Sequence, residues 1–313
     1  MALSHSVFLP VGFGRELAGF PDPVAAFEAV LGVARAADEG GYETLWAPDH
    51  LVTIPPSQAP VFESWTLLTA LARDTRRVRL GHLVTGHGYR NPVLQAKLAA
   101  TLDVVSGGRY TFGVGAGWHE PDYAALGHDY PDAPERLQRL REGLEIVRSV
   151  WTAPVTSYQG TYHRVRDAVR QQGVQRPHVP VMVAGGGEKV TLRLVAEHGD
   201  LCNVIESPER LAHKYAVLAD HCAELGRDPA EIRRTAVTAC LVGDTDAEAR
   251  ERLPAEHPLF PGDYRSYCLV GTPETIRERL AAYEAAGVDE LIVGFADPTD
   301  AAAVRDYARE FAG

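Results

Sequence analysis

The chain has few cysteines, few lysines and only 2 methionines, and it contains no long apolar run. Its four cysteines (Cys202, Cys222, Cys240, Cys268) are too widely spaced for a zinc knuckle and do not form a disulfide framework, so reduced thiols in a cytoplasm are expected. No segment approaches the ~20 apolar residues of a membrane span. The N-terminal MALSHSVFLPVGFGRE lacks the basic-then-apolar layout of a secretory leader. There is also no basic surplus: the net charge is −11. Nucleic-acid binding needs Lys and Arg clustered on one face, so it is excluded, and a protein free of both nucleic acid and membrane is expected. Finally, the chain has no His-x-His on its first strand-like segment and no His-Glu-x-x-His anywhere, although His50, His82, His87 and His119 fall near strand ends. No metal site is expected.

What is present is an alternation of strand and helix. With 45% hydrophobic residues over 313 positions, a large core is assured. Strand-like runs are His5–Val11, Thr44–Ala47, Arg79–Thr85, Tyr110–Val114, Val179–Ala184, Leu201–Ile205, Thr235–Val242 and Glu290–Gly294. Between them, helical spacing marks Val24–Glu39, a helix beginning at Pro92, Pro134–Trp151, Val190–His198 and Pro208–Leu225. Thr272 is suited to cap a further helix, with Pro273 at its first turn and Gly287 at its end. About eight such repeats favour a closed (β/α)8 TIM barrel over a doubly wound sheet, as one domain over residues 1–313. Two stretches break the rhythm. Ala153–Pro177 is a polar excursion with scattered aromatics, expected to help shape a substrate pocket, and the proline-rich Leu253–Cys268 is a candidate lid.

In a barrel the chemistry sits where strands end. Asp49 and His50 follow the second strand, and an imidazole there can carry a proton near neutral pH; it could equally cap its loop. Thr85-Gly86-His87-Gly88 follows the third strand as a loop open to a planar ligand or as an ordinary turn. GVGAG at Gly113–Gly117 departs from the G-x-G-x-x-G dinucleotide fingerprint, and Trp118 and Tyr123 beyond it are able to stack on a ring or simply to pack. Gly185-Gly186-Gly187-Glu188 opens a helix with bare backbone amides, which suits a phosphate as well as tight packing.

Asn91-Pro92, Ala96–Asp103, VSGGR at Val105–Arg109 and GVGAGWHE at Gly113–Glu120 together resemble the luciferase-like monooxygenase superfamily. WAPDHL at Trp46–Leu51 and VAGGGEKVTLRL at Val183–Leu194 resemble its branch that uses the deazaflavin coenzyme F420. The resemblance runs along essentially the whole chain. It implies a barrel holding a deazaflavin or flavin at the strand ends, with a non-proline cis peptide within His82–Thr85. Cofactor contacts are implied for His82, Val84, Thr85, Ala116, Gly117, Trp118, Gly185, Gly186, Gly187 and Glu188. It also implies His50 as the proton-carrying residue, with Asp49 expected to orient it. Where related sugar-phosphate dehydrogenases carry a glutamate after the GxG loop, this chain has Trp118, which argues against a sugar-phosphate substrate.

The expected activity is coenzyme F420-dependent hydride transfer to or from a small organic molecule. The alternatives are a two-component monooxygenase using reduced FMN with a partner reductase, a metal-dependent barrel hydrolase, and a cofactor-binding relative without catalysis. A homodimer is expected from the resemblance alone.

Overall fold

The computed structural model describes residues 3–312. Eight parallel strands close into a barrel: β1 (Ser4–Phe8), β2 (Thr44–Ala47), β3 (Arg79–His82), β5 (Tyr110–Gly115), β8 (Val181–Ala184), β9 (Leu201–Val204), β10 (Arg233–Val242) and β12 (Glu290–Phe295). Closure is made by β12 pairing with β1, in the register Glu290 to Ser4 and Val293 to Val7. The helices that return the chain between them are α1 (Pro23–Glu39), α2 (Ser64–Asp74), α3 (Pro92–Ser106), α4 (Glu120–Leu126), α5 (Ala133–Thr152), α6 (Thr191–His198), α7 (Pro208–Leu225), α8 (Asp246–Glu251), α9 (Pro273–Ala285) and α10 (Ala301–Phe311).

The two sides of each strand set two cores. Trp46, Met182, Leu201, Val237 and Ile292 fill the barrel interior, while Val7, Leu45, Leu80, Phe112 and Leu291 face the helices. The interior can take an indole because β3 carries a glycine opposite it. A Cβ on Gly81 would lie 2.2 Å from the Trp46 ring. Trp46 Nε1 then donates to Glu290 Oε1 at 2.8 Å, and Ser6 Oγ donates to the same oxygen at 2.6 Å, so this buried carboxylate is satisfied at the barrel floor.

The helix starts follow local rules. Asp22, Asn91, Asp132 and Thr272 each accept from backbone amides of the turn they precede, and each is followed by proline in the first turn. Four helices, α2, α4, α8 and α10, are not marked in the sequence reading. α2 is capped by Glu63, whose carboxylate accepts from Thr66 N at 2.7 Å, and buries Trp65, Leu68, Leu71 and Ala72. Beyond the barrel, β11 (Leu269–Gly271) lies on the outer edge of β10.

Ala153–Pro177 forms an antiparallel hairpin, β6 (Val155–Gln159) and β7 (Arg164–Val169), laid along α5. It is anchored by two buried carboxylates. Glu142 accepts from the amides of Thr161, Tyr162 and His163, and Asp103 accepts from those of Val174 and Gln175. These anchors hold the excursion on the outer wall of the barrel. It does not line the cavity at the strand ends, and the expectation that it shapes a substrate pocket is corrected accordingly.

Candidate active site

After β3 the chain turns out of the sheet, re-enters as β4 (Thr85–Gly86), and has a cis peptide between Leu83 and Val84. β5 makes room for this bulge. A Cβ on Gly113 would lie 1.8 Å from the His82 carbonyl oxygen, and one on Gly115 would touch Val84 Cγ2 at 3.0 Å. The spacing of GVGAG is therefore a packing requirement that brings the Val84 side chain to the barrel mouth.

His82 and Thr85 hold the bulge from behind. Thr85 Oγ1 donates to Asp49 Oδ2 at 2.6 Å, and Ser64 Oγ donates to Asp49 Oδ1 at 2.8 Å. With its single proton committed to Asp49, Ser64 must accept from His82 Nε2 (3.0 Å), which leaves His82 Nδ1 to accept from the Tyr110 hydroxyl (2.6 Å). Full burial lowers the His82 pKa to about 4, so the ring is neutral. Burial alone would raise Asp49, but the Arg90 guanidinium at 2.6 Å and the donors around it hold its carboxyl below the usual range.

Two expectations are corrected here. His82 and Thr85 face α2 and Asp49 and do not line the cavity. Asp49 does not orient His50 either, because both of its oxygens are occupied by Arg90, Ser64 and Thr85.

The partner of His50 is Asp122, from α4. His50 Nδ1 donates to Asp122 Oδ2 at 2.6 Å. The carboxylate is fully buried and also accepts from the Tyr89 hydroxyl (2.7 Å) and from the amides of Leu51 (2.9 Å) and Val52 (3.1 Å). Burial pushes the Asp122 carboxyl up, but the bonds from His50, Tyr89 and Leu51 outweigh it and hold its pKa low. The imidazole stacks on Phe13 with centroids 3.7 Å apart and planes 10° apart. With Nδ1 tied to a carboxylate, Nε2 is the nitrogen left for the cavity that His50 lines.

That cavity, of about 520 Å³, opens at the carboxyl ends of the strands. Of the residues expected to contact a cofactor, Val84, Ala116, Gly117, Trp118, Gly185, Gly186 and Gly187 line it. Glu188 does not: its carboxylate is taken by Lys214 Nζ at 2.6 Å and His213 Nε2 at 3.2 Å. Tyr123 is also absent from the wall, lying instead beneath Gly88 and Gly117, where a Cβ on Gly117 would meet its hydroxyl at 2.1 Å. Sequence reasoning missed Phe13, Leu83, Tyr89, Thr191 and Asn203 on the wall, and Asp122 behind it.

Leu83, Val84 and Ala116 give the cavity apolar wall alongside His50. Gly185, also on the wall, has φ +129°, reserved in practice for glycine. Its amide donates to Asn203 O (3.0 Å), whereas among the described residues the amides of Gly186 and Gly187 have no protein acceptor. Apolar wall and free glycine amides in one cavity fit a ligand with a flat ring and a phosphate. Among the described residues no three His, Cys, Asp or Glu side chains converge as metal ligands, and no helix is long and apolar enough to cross a membrane.

Residues 5–266 match the family described as luciferase-like monooxygenase. The chain belongs to this family. Among curated relatives, an F420-dependent glucose-6-phosphate dehydrogenase of Amycolatopsis mediterranei is 34% identical over 49% of this chain and 46% of its own length. An FMNH2-dependent dimethylsulfone monooxygenase of Pseudomonas putida is 26% identical over 74% of this chain and 73% of its own. Matches to the F420-dependent glucose-6-phosphate dehydrogenases named first thus span about half of those proteins. Two solved structures share the fold across 99% of this chain and 98% of theirs. They are the monooxygenase RslO1 from Streptomyces bottropensis (TM-score 0.82, 23% identity) and an F420-dependent secondary alcohol dehydrogenase bound to an F420-acetone adduct (TM-score 0.80, 19% identity).

Proposed function

We propose that this luciferase-like protein is a coenzyme F420-dependent oxidoreductase that moves a hydride to or from a small, uncharged organic molecule. The observation that carries the reading is the Asp122–His50 pair, with the free imidazole nitrogen turned to the cavity. Such a pair is a proton carrier, and hydride transfer at an alcohol, imine or enone needs one proton moved alongside it. When bound, the deazaflavin would supply the hydride chemistry.

The protein's part is binding, orientation and the proton. Val84, Leu83 and Ala116 would offer an apolar face to the ring, and the amides of Gly186 and Gly187 would take the phosphate. His50 Nε2 accepts the proton when the substrate is oxidised and returns it when the substrate is reduced. The anionic Asp122 holds the ring in the tautomer with Nδ1 protonated and stabilises the imidazolium. Phe13, stacked on the face of His50, and Trp118, edge-on to it, limit water around the ring. Among the described residues no arginine or lysine lines this cavity, and Trp118 stands half exposed at its mouth. Both facts speak against a sugar phosphate, which would bring a second anion to the site.

A second reading is a reduced-FMN monooxygenase served by a separate reductase. The broad match to the dimethylsulfone monooxygenase favours it, as does the Leu253–Cys268 segment, which brings Leu259 to the cavity wall. The two readings separate in one experiment: oxidised coenzyme F420 and FMN are titrated separately into the full chain, with cofactor fluorescence followed. Micromolar binding of the deazaflavin with FMN weaker is expected. Preference for FMN would transfer the reading to oxygen insertion.

A further inference from the structure

A second cavity of about 430 Å³ lies beside the first, between the ends of β1, β10 and β12 and the segment after α8. Phe8, Phe13 and Leu259 line both cavities, so a ligand in the second abuts the chamber that holds His50. Its remaining walls are mainly apolar: Ile54, Val237, Leu253, Phe260 and Phe295.

Few polar side chains reach it, and they differ in what they can offer. Arg15 lines it as a solvent-exposed residue. Glu16 is folded onto its own loop: Oε1 accepts from Gly12 N at 2.9 Å, and Oε2 lies sealed under Gly14, where a Cβ would be 3.1 Å away. Cys240 presents a buried thiol. His257 is the exception. Leu259 N donates to His257 Nδ1 at 3.1 Å, and a backbone amide can only donate, so Nδ1 carries a lone pair and the ring proton sits on Nε2. The ring is held in place against Phe260 (4.8 Å) and Tyr264 (5.5 Å), and burial lowers its pKa, which keeps it neutral. Among the described residues Nε2 has no hydrogen-bond partner and is not sealed from solvent.

We infer that this second chamber is a binding site for a neutral, mainly apolar molecule carrying one hydrogen-bond acceptor, such as a ketone or ether oxygen, which His257 Nε2–H receives. The inference deepens the proposed function by giving its substrate class, and rests on that reading only for the neighbouring chamber being the cofactor site. Discrimination follows from the walls. An ammonium would shed its hydration in a largely apolar chamber whose one carboxylate, Glu16, is folded onto its own loop, and a carboxylate would find only the solvent-exposed Arg15. A hydrocarbon would fill the chamber but leave the His257 donor unused.

The test is calorimetric titration of the full chain, with and without saturating coenzyme F420, using cyclohexyl methyl ketone, cyclohexanecarboxylate, cyclohexylmethylamine and ethylcyclohexane. The ketone is expected to bind at least tenfold more tightly than either charged probe. In His257→Phe, which keeps the stacking and removes the donor, ketone affinity should fall about five- to tenfold while ethylcyclohexane is unaffected. In the unaltered protein labelled with ¹⁵N-histidine, the ketone should shift the His257 Nε2 resonance, a readout that does not depend on a variant folding. Equal or tighter binding of the carboxylate overturns the inference, as does a His257 resonance that stays still while the ketone binds. Ketone binding without any coenzyme F420 binding would uphold the chamber and sink the cofactor reading; the reverse result would do the opposite.

Discussion

Replacement of Asp122 by Asn tests the proton-carrying pair with minimal change in shape. The carboxylate accepts from His50 Nδ1, Tyr89, Leu51 N and Val52 N. In the amide, Oδ1 can retain the two backbone donors, which places Nδ2 where Oδ2 stood, facing His50 and Tyr89. An amide nitrogen donates only, so His50 Nδ1 must become the acceptor and the ring proton moves to Nε2. The nitrogen facing the cavity then carries a hydrogen and cannot take a proton, and the counter-charge for the imidazolium is gone. General acid–base transfer is worth about 10²–10⁴ in rate, and the same exchange in the serine-protease triad costs about 10⁴. Asp122→Asn should therefore lower kcat about 10²- to 10⁴-fold, while coenzyme F420 affinity stays within a few-fold. Tyr89 loses its acceptor, at a cost of about 1–3 kcal/mol in stability, which circular-dichroism melting would register. The assay is reduction or oxidation of the coenzyme, followed by its visible absorbance under substrate saturation. If the variant retained turnover within about threefold, or lost activity only through KM, the dyad would have no role in proton transfer.

Further perturbations probe the frame around the pair. Arg90→Met strips a buried Asp49 of its counter-ion and should cost about 3–5 kcal/mol in chemical denaturation, with an accompanying loss of cofactor affinity as the Leu83–Val84 bulge loosens. Gly113→Ala drives a Cβ into the His82 carbonyl; destabilisation of at least about 1–3 kcal/mol is expected, and near-normal stability with normal cofactor binding would refute the packing account of GVGAG. The histidines set an acid limit. His82 and His87 titrate near pH 4 and 3 when folded and near 6.5 when unfolded, so the unfolded chain binds more protons as pH falls below 6.5. Their stabilising contribution is whole above pH 6.5 and declines towards their folded pKa values. Between pH 7 and 5 the loss should be about 2 kcal/mol for each, read from urea midpoints. A flat stability profile over that range would contradict their neutral burial.

Much of the barrel was legible because its signals are local. Strand limits such as Thr44–Ala47 and helix limits such as Pro208–Leu225 follow from apolar runs bounded by Pro, Gly and capping residues, with no reference to distant parts of the chain. α2 is hard to see in the sequence although Trp65, Leu68, Leu71 and Ala72 share a face, because the proline-rich loop before it hides its start. At the site, the glycine loops were readable, since a positive φ such as those of Gly117 and Gly185 favours glycine wherever the fold places it.

Side-chain partners were less readable. His50 and Asp122 are 72 residues apart, joined only by the barrel bringing the ends of β2 and β5 together, and Asp49, adjacent in sequence, points to Arg90 instead. His82 illustrates the same limit. Its position on β3 is visible in the sequence, but the face it presents depends on Ser64 and Tyr110, which only the fold supplies.

The central claim is tested most directly by a single-turnover measurement. Full-length protein saturated with reduced coenzyme F420 is mixed anaerobically with cyclohexyl methyl ketone, and reoxidation is followed by absorbance for the unaltered chain and for His50→Gln. The account predicts hydride transfer in the unaltered protein, slowed at least a hundredfold in the variant at equal cofactor occupancy. Equal rates in the two proteins would contradict the role of His50. Tight binding of reduced FMN with oxygen consumption, and no deazaflavin binding, would contradict hydride transfer as the function of this barrel.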